Sequence, residues 1–143
     1  MKIVRWVILC VLLLFAGGTL LSKHEPPTAI VTVNHARIET VEKNYNWYYG
    51  LFYLNRVSGH SDIIFNMLHT KVIKPGTKAK INFADHSNPK LMAYIWRDRK
   101  TGPELAVHKS QITLPKKPGT YVILLQSQWT RGSSDYVFSV KVQ

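Results

Sequence analysis

Thiols are almost missing from this sequence. Its single cysteine, Cys10, lies inside an apolar N-terminal run, so the rest of the chain can form no disulfide. Small secreted domains of oxidising compartments usually carry such bonds. A chain without them must rely on its hydrophobic core, and the roughly 120 residues after the N-terminal run are enough to build one. Cys10 follows Leu9 in mid-run and not a small residue at the end of it, which excludes the lipid attachment of bacterial lipoproteins. Asn-x-Ser/Thr is absent as well, although Asn34, Asn44, Asn46, Asn55, Asn66, Asn82 and Asn88 are present, so no N-linked glycan is expected. These gaps together favour a bacterial, Gram-positive surface protein over a eukaryotic secreted one.

Acidic residues are scarce. Eight Asp and Glu stand against 19 Lys and Arg, for a net charge of +11. The shortage is uneven: residues 23–70 balance to zero, whereas residues 71–143 hold 13 Lys and Arg against Asp85, Asp98, Glu104 and Asp135. Such asymmetry points to an acidic partner. Outside a bacterium the abundant polyanions are teichoic acids and anionic lipid headgroups, and nucleic acid is not an expected partner. The candidate anion-binding residues are Lys78, Lys80, Arg97, Arg99, Lys100, Lys116 and Lys117, joined by Lys71 and Lys74.

Catalytic constellations are sparse too. No glycine-rich loop is placed to cradle phosphate, since Gly17-Gly18 falls in the N-terminal run. Ser87-x-x-Lys90 has the spacing of a nucleophile and its base, but that chemistry needs a helix and Pro89 interrupts it. Ser58-Gly59-His60-Ser61-Asp62 gathers three triad residue types in one loop, where adjacent residues rarely reach the mutual geometry required. His60, Asp62, His69, Asp85, His86 and His108 suit zinc or copper by type, but no pair has a recognised ligand spacing. No cofactor, metal site or catalytic residue is therefore assigned. The expected function is a non-catalytic extracytoplasmic binding or interaction module, contacting an anionic envelope polymer, a membrane surface or a surface protein. The alternative is a metal-handling protein or a small extracellular enzyme, and convergence of His60, His69, His86 and His108 would favour it.

What is present begins with a targeting segment. Lys2 and Arg5 precede an uncharged run of 16 residues from Trp6 to Leu21, with Ala16-Gly17-Gly18 as a small-residue patch. This is the layout of a secretory signal, cleaved after Gly18, or of a retained anchor slightly short of the roughly 20 residues a span needs. Either way Lys2 and Arg5 stay inside and the remainder faces out, secreted or anchored to the membrane. Residues 1–22 are read as this segment, 23–28 as a linker with Pro26-Pro27, and 29–143 as one β-sandwich domain.

The domain reads as all-β. Short runs rich in β-branched and aromatic residues are punctuated by Pro, Gly, Asn and Asp, without long helical periodicity. Lys78–Phe83 and Tyr136–Val142 alternate with period two. Thr120–Trp129, Leu91–Trp96, Leu105–Val107, Ile112–Leu114, Ala29–Val33 and Ala36–Val41 are further strands, with Thr130–Ser134 as a hairpin turn and Asp62–His69 as another strand. The expected core contains Ile81, Phe83, Trp96, Tyr121, Ile123, Phe138 and Val140. Strand 120–129 is apolar on both faces, and the aromatic stretch Tyr45–Leu54 is the expected cover for the second. Tyr45, Trp47, Tyr49 and Tyr53 are expected on one strand face, as core or as a stacking platform for sugars or peptides. Lys74-Pro75-Gly76-Thr77 recurs as Lys117-Pro118-Gly119-Thr120, which predicts the same type II corner used twice.

Tyr121, just after Pro118-Gly119-Thr120 and two residues before Ile123, resembles the tyrosine corner of immunoglobulin-like domains. The resemblance covers about residues 71–142. It implies an immunoglobulin-like sandwich with Phe83 and Ile123 in place of the disulfide cysteines and Trp96 as the buried tryptophan of the third strand. More narrowly, Pro118-Gly119-Thr120-Tyr121 followed by Trp129, Gly132, Tyr136 and Phe138 is similar to small exported surface proteins of bacilli that have no assigned activity, so it implies fold and location alone.

Overall fold

The computed structural model describes residues 4–8, 10–11, 25–58, 61–97 and 100–143, with residues 61–63 described by backbone alone. The end of the expected targeting segment, its expected cleavage point, residues 23–24 of the expected linker, His60, Asp98 and Arg99 lie outside the described residues. Residues 4–8 and 10–11 are helical, and Val4, Trp6, Val7, Ile8 and Val11 are exposed. Among the described residues, no helix is long and apolar enough to cross a membrane.

Period-two alternation builds the rest into two antiparallel sheets packed face to face. The first contains β1 (Ala29–Val33), β2 (Ala36–Ile38), β6 (Lys78–Phe83), β9 (Val107–His108) and β10 (Gln111–Thr113), in the order β2-β1-β6-β10-β9. The second contains β3 (Val41–Tyr49), β4 (Phe52–Val57), β7 (Lys90–Arg97), β8 (Lys100–Leu105), β11 (Gly119–Trp129) and β12 (Gly132–Val142), in the order β4-β3-β12-β11-β7-β8. A short strand, β5 (Lys71–Ile73), runs parallel to the end of β12. The chain crosses between the sheets after β2, β5, β6, β8 and β10, so sequence neighbours face each other across the core.

That core is filled by the inward side of each strand: Ala29, Val31 and Val33 from β1, Ala79, Ile81 and Phe83 from β6, Tyr121, Ile123 and Leu125 from β11, and Tyr136, Phe138, Val140 and Val142 from β12. Side chains on one pleat face point the same way, and every one of these is buried. At one end the filling is aromatic: Phe83 meets Trp129 edge-on at 4.9 Å, and Trp129 meets Trp47 at 5.4 Å. The Tyr136 hydroxyl donates to the Pro27 carbonyl at 2.5 Å, pinning the segment that enters β1 to the core.

Several expectations need correction. Residues 62–69 are not a strand; Ser61–Met67 form a short helix, α1. Ile64 and Leu68, four residues apart, pack on one side against Trp96, Leu124 and Val137, and Phe65 stacks on Trp96 at 5.0 Å. This helix, and not the aromatic stretch, covers the outer face of β11. The aromatic stretch instead becomes β3, an in-sheet neighbour of β12, and turns back into β4 through Gly50-Leu51. Gly50 has φ +55° at the first of two central positions, where a type II′ hairpin places its glycine.

Trp96 is buried, but on the other side of its sheet from the place the immunoglobulin resemblance implies. Ile95 pairs with Ile123 and faces the inter-sheet core, so Trp96, opposite Val122, faces out beneath α1. The β11–β12 turn is shorter than expected, Thr130-Arg131, and Gly132 already belongs to β12. A Cβ there would lie 2.0 Å from the Asn46 carbonyl oxygen. The two Lys-Pro-Gly-Thr corners also differ. At the first, Thr77 N–H bonds the Lys74 carbonyl at 3.3 Å and Gly76 has φ +67°, as a type II turn requires. At the second, Gly119 has φ +152° and opens β11 directly.

Candidate anion-binding surface

Two ends of the sandwich can be told apart by strand direction. Chain entry at Pro27, the β6–β7 loop, the β11–β12 turn and the β3–β4 turn all lie at one end, as the Phe83–Trp129–Trp47 contacts require. The β7–β8 turn, the β5–β6 corner and the β10–β11 crossover lie at the opposite end.

The candidate cations fall on the opposite end and on the sheet face that adjoins it. Lys78 and Lys80 alternate with buried Ala79 and Ile81, so both project from the outer face of the first sheet and stand roughly 7 Å apart along it. Lys78 pairs with Thr113, only a few residues before Lys116 and Lys117 in the β10–β11 crossover. The crossover is tied to the β5–β6 corner by Gly76 N–H to the Pro115 carbonyl at 3.1 Å and Leu114 N–H to the Thr77 carbonyl at 2.9 Å. Lys74 therefore joins Lys116 and Lys117. Arg97 ends β7 opposite Lys100 and sits 6.0 Å over the Tyr121 ring. The Tyr121 hydroxyl in turn bonds the Lys117 carbonyl at 2.9 Å, which is the bond a tyrosine corner makes. Arg99 lies outside the described residues.

Lys74, Lys78, Lys80, Arg97, Lys100, Lys116 and Lys117 are all exposed. Among the described residues none of them is paired with a carboxylate. Glu25, Asp85 and Asp135 sit in the other half of the sandwich.

One member was assigned to the wrong set by sequence. Arg37 belongs to the charge-balanced half of the chain, yet β2 sets it opposite Thr32, which pairs with Lys80. Arg37 thus stands in the same outward row as Lys80, about 10 Å away across two strand spacings. His108 extends that row through Gln111. Alternation around β2, with Ile38 inward, was the signal that could have found it.

The aromatic candidates separate. Tyr45 and Trp47 are buried, Tyr49 is half-buried, and Tyr53 lies on the other face of the hairpin beside exposed Tyr48, ring centres 5.0 Å apart. They form no common stacking platform.

Four of the chemistry-bearing residues, Ser58, His69, Asp85 and Ser87, are engaged locally. Ser87 donates to Asp85 at 2.6 Å and accepts from the Trp129 indole at 2.8 Å, and Ser58 donates to the Lys43 carbonyl. His69 meets Glu39 at 2.5 Å. Among the described residues, no three His, Cys, Asp or Glu side chains gather as metal ligands. Two carboxyls have raised pKa values because burial disfavours their charge: Glu42, which Ser134 partly offsets by a 3.0 Å hydrogen bond, and Asp135, which Lys43 and Asn44 partly offset. Among the described residues, one open depression of about 580 Å³ is lined by Lys90, Met92, Glu104 and their neighbours on β7 and β8.

No protein-family model, no curated protein and no solved structure matches the chain.

Proposed function

We propose that this chain is an extracytoplasmic binding module that holds an anionic polymer of the cell envelope without transforming it. The observation that carries the reading is the gathering of Lys74, Arg97, Lys100, Lys116 and Lys117 at the end opposite chain entry, none of them paired with a carboxylate among the described residues. With the N-terminal segment in the bilayer, the domain is entered at Pro27, and the basic end points away from the lipid. That orientation favours a wall polymer over the headgroups of the protein's own membrane. Export is supported by the charged start, the apolar run and the exposure of Val4, Trp6, Val7, Ile8 and Val11.

An immunoglobulin-like fold is the finer architectural reading. Its support is the order β1-β6-β10-β9 against β12-β11-β7-β8, which matches the A-B-E-D and G-F-C arrangement with one strand added, together with the Tyr121 corner. Trp96 departs from that pattern. Strands β2–β5 and α1 are an insertion between the first two strands.

Several cations acting together on a polyanion bind more strongly than any single exposed charge, and salt screens them. The test uses the full chain in neutral-lipid nanodiscs and a purified poly(glycerol phosphate) wall polymer. Binding is expected at low ionic strength, with release as salt rises. Reversing Lys78, Lys80 and Lys116 to Glu abolishes it, whereas reversing Arg56, Lys90 and Lys109 leaves it. Equal loss from both sets would reduce the effect to net charge, and absence of binding at low salt would refute the reading.

A further inference from the structure

The β3–β4 hairpin carries an exposed apolar tip that the anion-binding reading does not use. Leu51 is fully exposed, Phe52 is 68% exposed, and Tyr48 and Tyr53 are exposed beside them. None of these side chains is in the core. Large exposed apolar groups that cluster mark an interaction surface.

Position identifies the partner. Tyr48 N–H bonds the Arg131 carbonyl at 2.8 Å, so Tyr48 is level with the β11–β12 turn. The hairpin then runs on through Tyr49 and Gly50, projecting beyond that turn at the chain-entry end. Only Ser22, Lys23 and His24 separate Leu21 from Glu25, a reach of at most about 14 Å. If the apolar run occupies the bilayer, the end bearing the tip is held against it.

The hairpin is also graded along its axis. Apolar Leu51 and Phe52 lie outermost. Tyr48 and Tyr53 follow, side chains with an apolar body and a polar end that favour the membrane–water interface. Next come polar groups: the Tyr53 hydroxyl and the Asn55 amide both bond Asn46 Oδ1, at 2.9 and 2.7 Å, while exposed Arg131, whose guanidinium donates to the Tyr48 carbonyl at 3.4 Å, stands level with the tyrosines. A partner protein would impose no such order, but a bilayer surface does.

We propose that the tip of the β3–β4 hairpin is a membrane-docking surface that seats the domain on the bilayer its N-terminal segment enters. The proposal rests on the export reading for its orientation. Docking fixes the domain upright, with its basic end outward.

The test uses the full chain in phosphatidylcholine vesicles, on a Cys10→Ala background, with an environment-sensitive fluorophore at Leu51→Cys or, as the distal control, Lys116→Cys. Nitroxide-bearing lipids are expected to quench the Leu51 probe several-fold more than the Lys116 probe. Phe52→Ser is expected to reduce that quenching while intrinsic tryptophan fluorescence stays unchanged, since Phe52 is outside the core. A chain that floats with the vesicles but leaves the Leu51 probe no more quenched than Lys116 overturns docking alone. A chain that does not float overturns docking and membrane anchoring together. A blue shift that depends on protein density without nitroxide quenching assigns the tip to a second copy of the chain and also overturns the proposal.

Discussion

Replacing Tyr136 with Phe isolates one contact that ties chain entry to the sandwich core. Phe fills the same volume, so the aromatic packing against Phe83 is kept and the hydroxyl alone is lost. That hydroxyl is the donor to the Pro27 carbonyl, and both residues are buried. A neutral hydrogen bond contributes about 0.5–1.5 kcal/mol net, and a buried acceptor left without a donor costs about 1–3 kcal/mol. Tyr136→Phe is therefore expected to destabilise the domain by about 1–3 kcal/mol. For a domain of this size each kcal/mol lowers the melting temperature by roughly 3–6 °C. Urea unfolding followed by tryptophan fluorescence should show a lower midpoint with an unchanged slope. The contact also has a pH signature. Burial raises the Tyr136 pKa above its ordinary 10.0. The unfolded chain therefore ionises first, and the stabilisation, complete below about pH 10, is lost as pH rises further. The variant should lack this part of the alkaline loss. Unfolding within about 0.3 kcal/mol of the parent, with the same alkaline slope, would refute the argument.

Two further substitutions probe the sheet beside it. Gly132→Ala drives a Cβ into the Asn46 carbonyl at a backbone φ of +149°; overpacking and conformational strain together should cost at least about 2 kcal/mol, read as a fall in urea midpoint. Glu42→Gln should melt higher than the parent at pH 7, because burial raises the Glu42 pKa and so the fold disfavours its charge. The favourable contribution of the protonated form is fully present below about pH 4.5 and lost as pH rises through the folded value, so the difference between parent and variant should close on acidification.

The inter-sheet core was readable because alternation is a local signal. Ile81, Phe83, Tyr121, Ile123, Phe138 and Val140 all face inward as period two requires. What alternation does not give is which of two apolar faces meets the second sheet. In Leu91–Trp96 both faces are apolar, and the large ring of Trp96 went to the helix side because Ile95 and Ala93 pair with Ile123 and Leu125. Helix α1 was misread for a related reason. Seven residues span barely two turns, too few for helical period to separate from a strand, and the helix is fixed by its docking on Trp96, Leu124 and Val137. The candidate cations were legible as a charge excess, but their gathering was not. Lys116 meets the Lys74 corner through the crossover, and Arg37 meets Lys80 through two strand pairings, contacts that sequence distance conceals.

Topology also explains how the basic corners come to lie far from the apolar hairpin tip. In an antiparallel sandwich, turns alternate between the two ends, so residues far apart in sequence are sorted by the direction of the strand they follow. Turns after β3, β6 and β11 share the entry end with Pro27, and there the exposed side chains include Leu51 and Phe52. The corners before β6 and β11 and the end of β7 share the other, and there they are Lys74, Lys116, Lys117 and Arg97. Sheet length separates the two, about 35 Å along the eleven residues of β11 at the usual rise per residue. That exceeds the screening length of roughly 8–10 Å at physiological salt several times over. On the proposed function, attraction at the basic end is thus felt locally, and a polyanion held there would not disturb whatever the apolar tip contacts. The two surfaces can be occupied together, which a single charged face against the membrane could not allow.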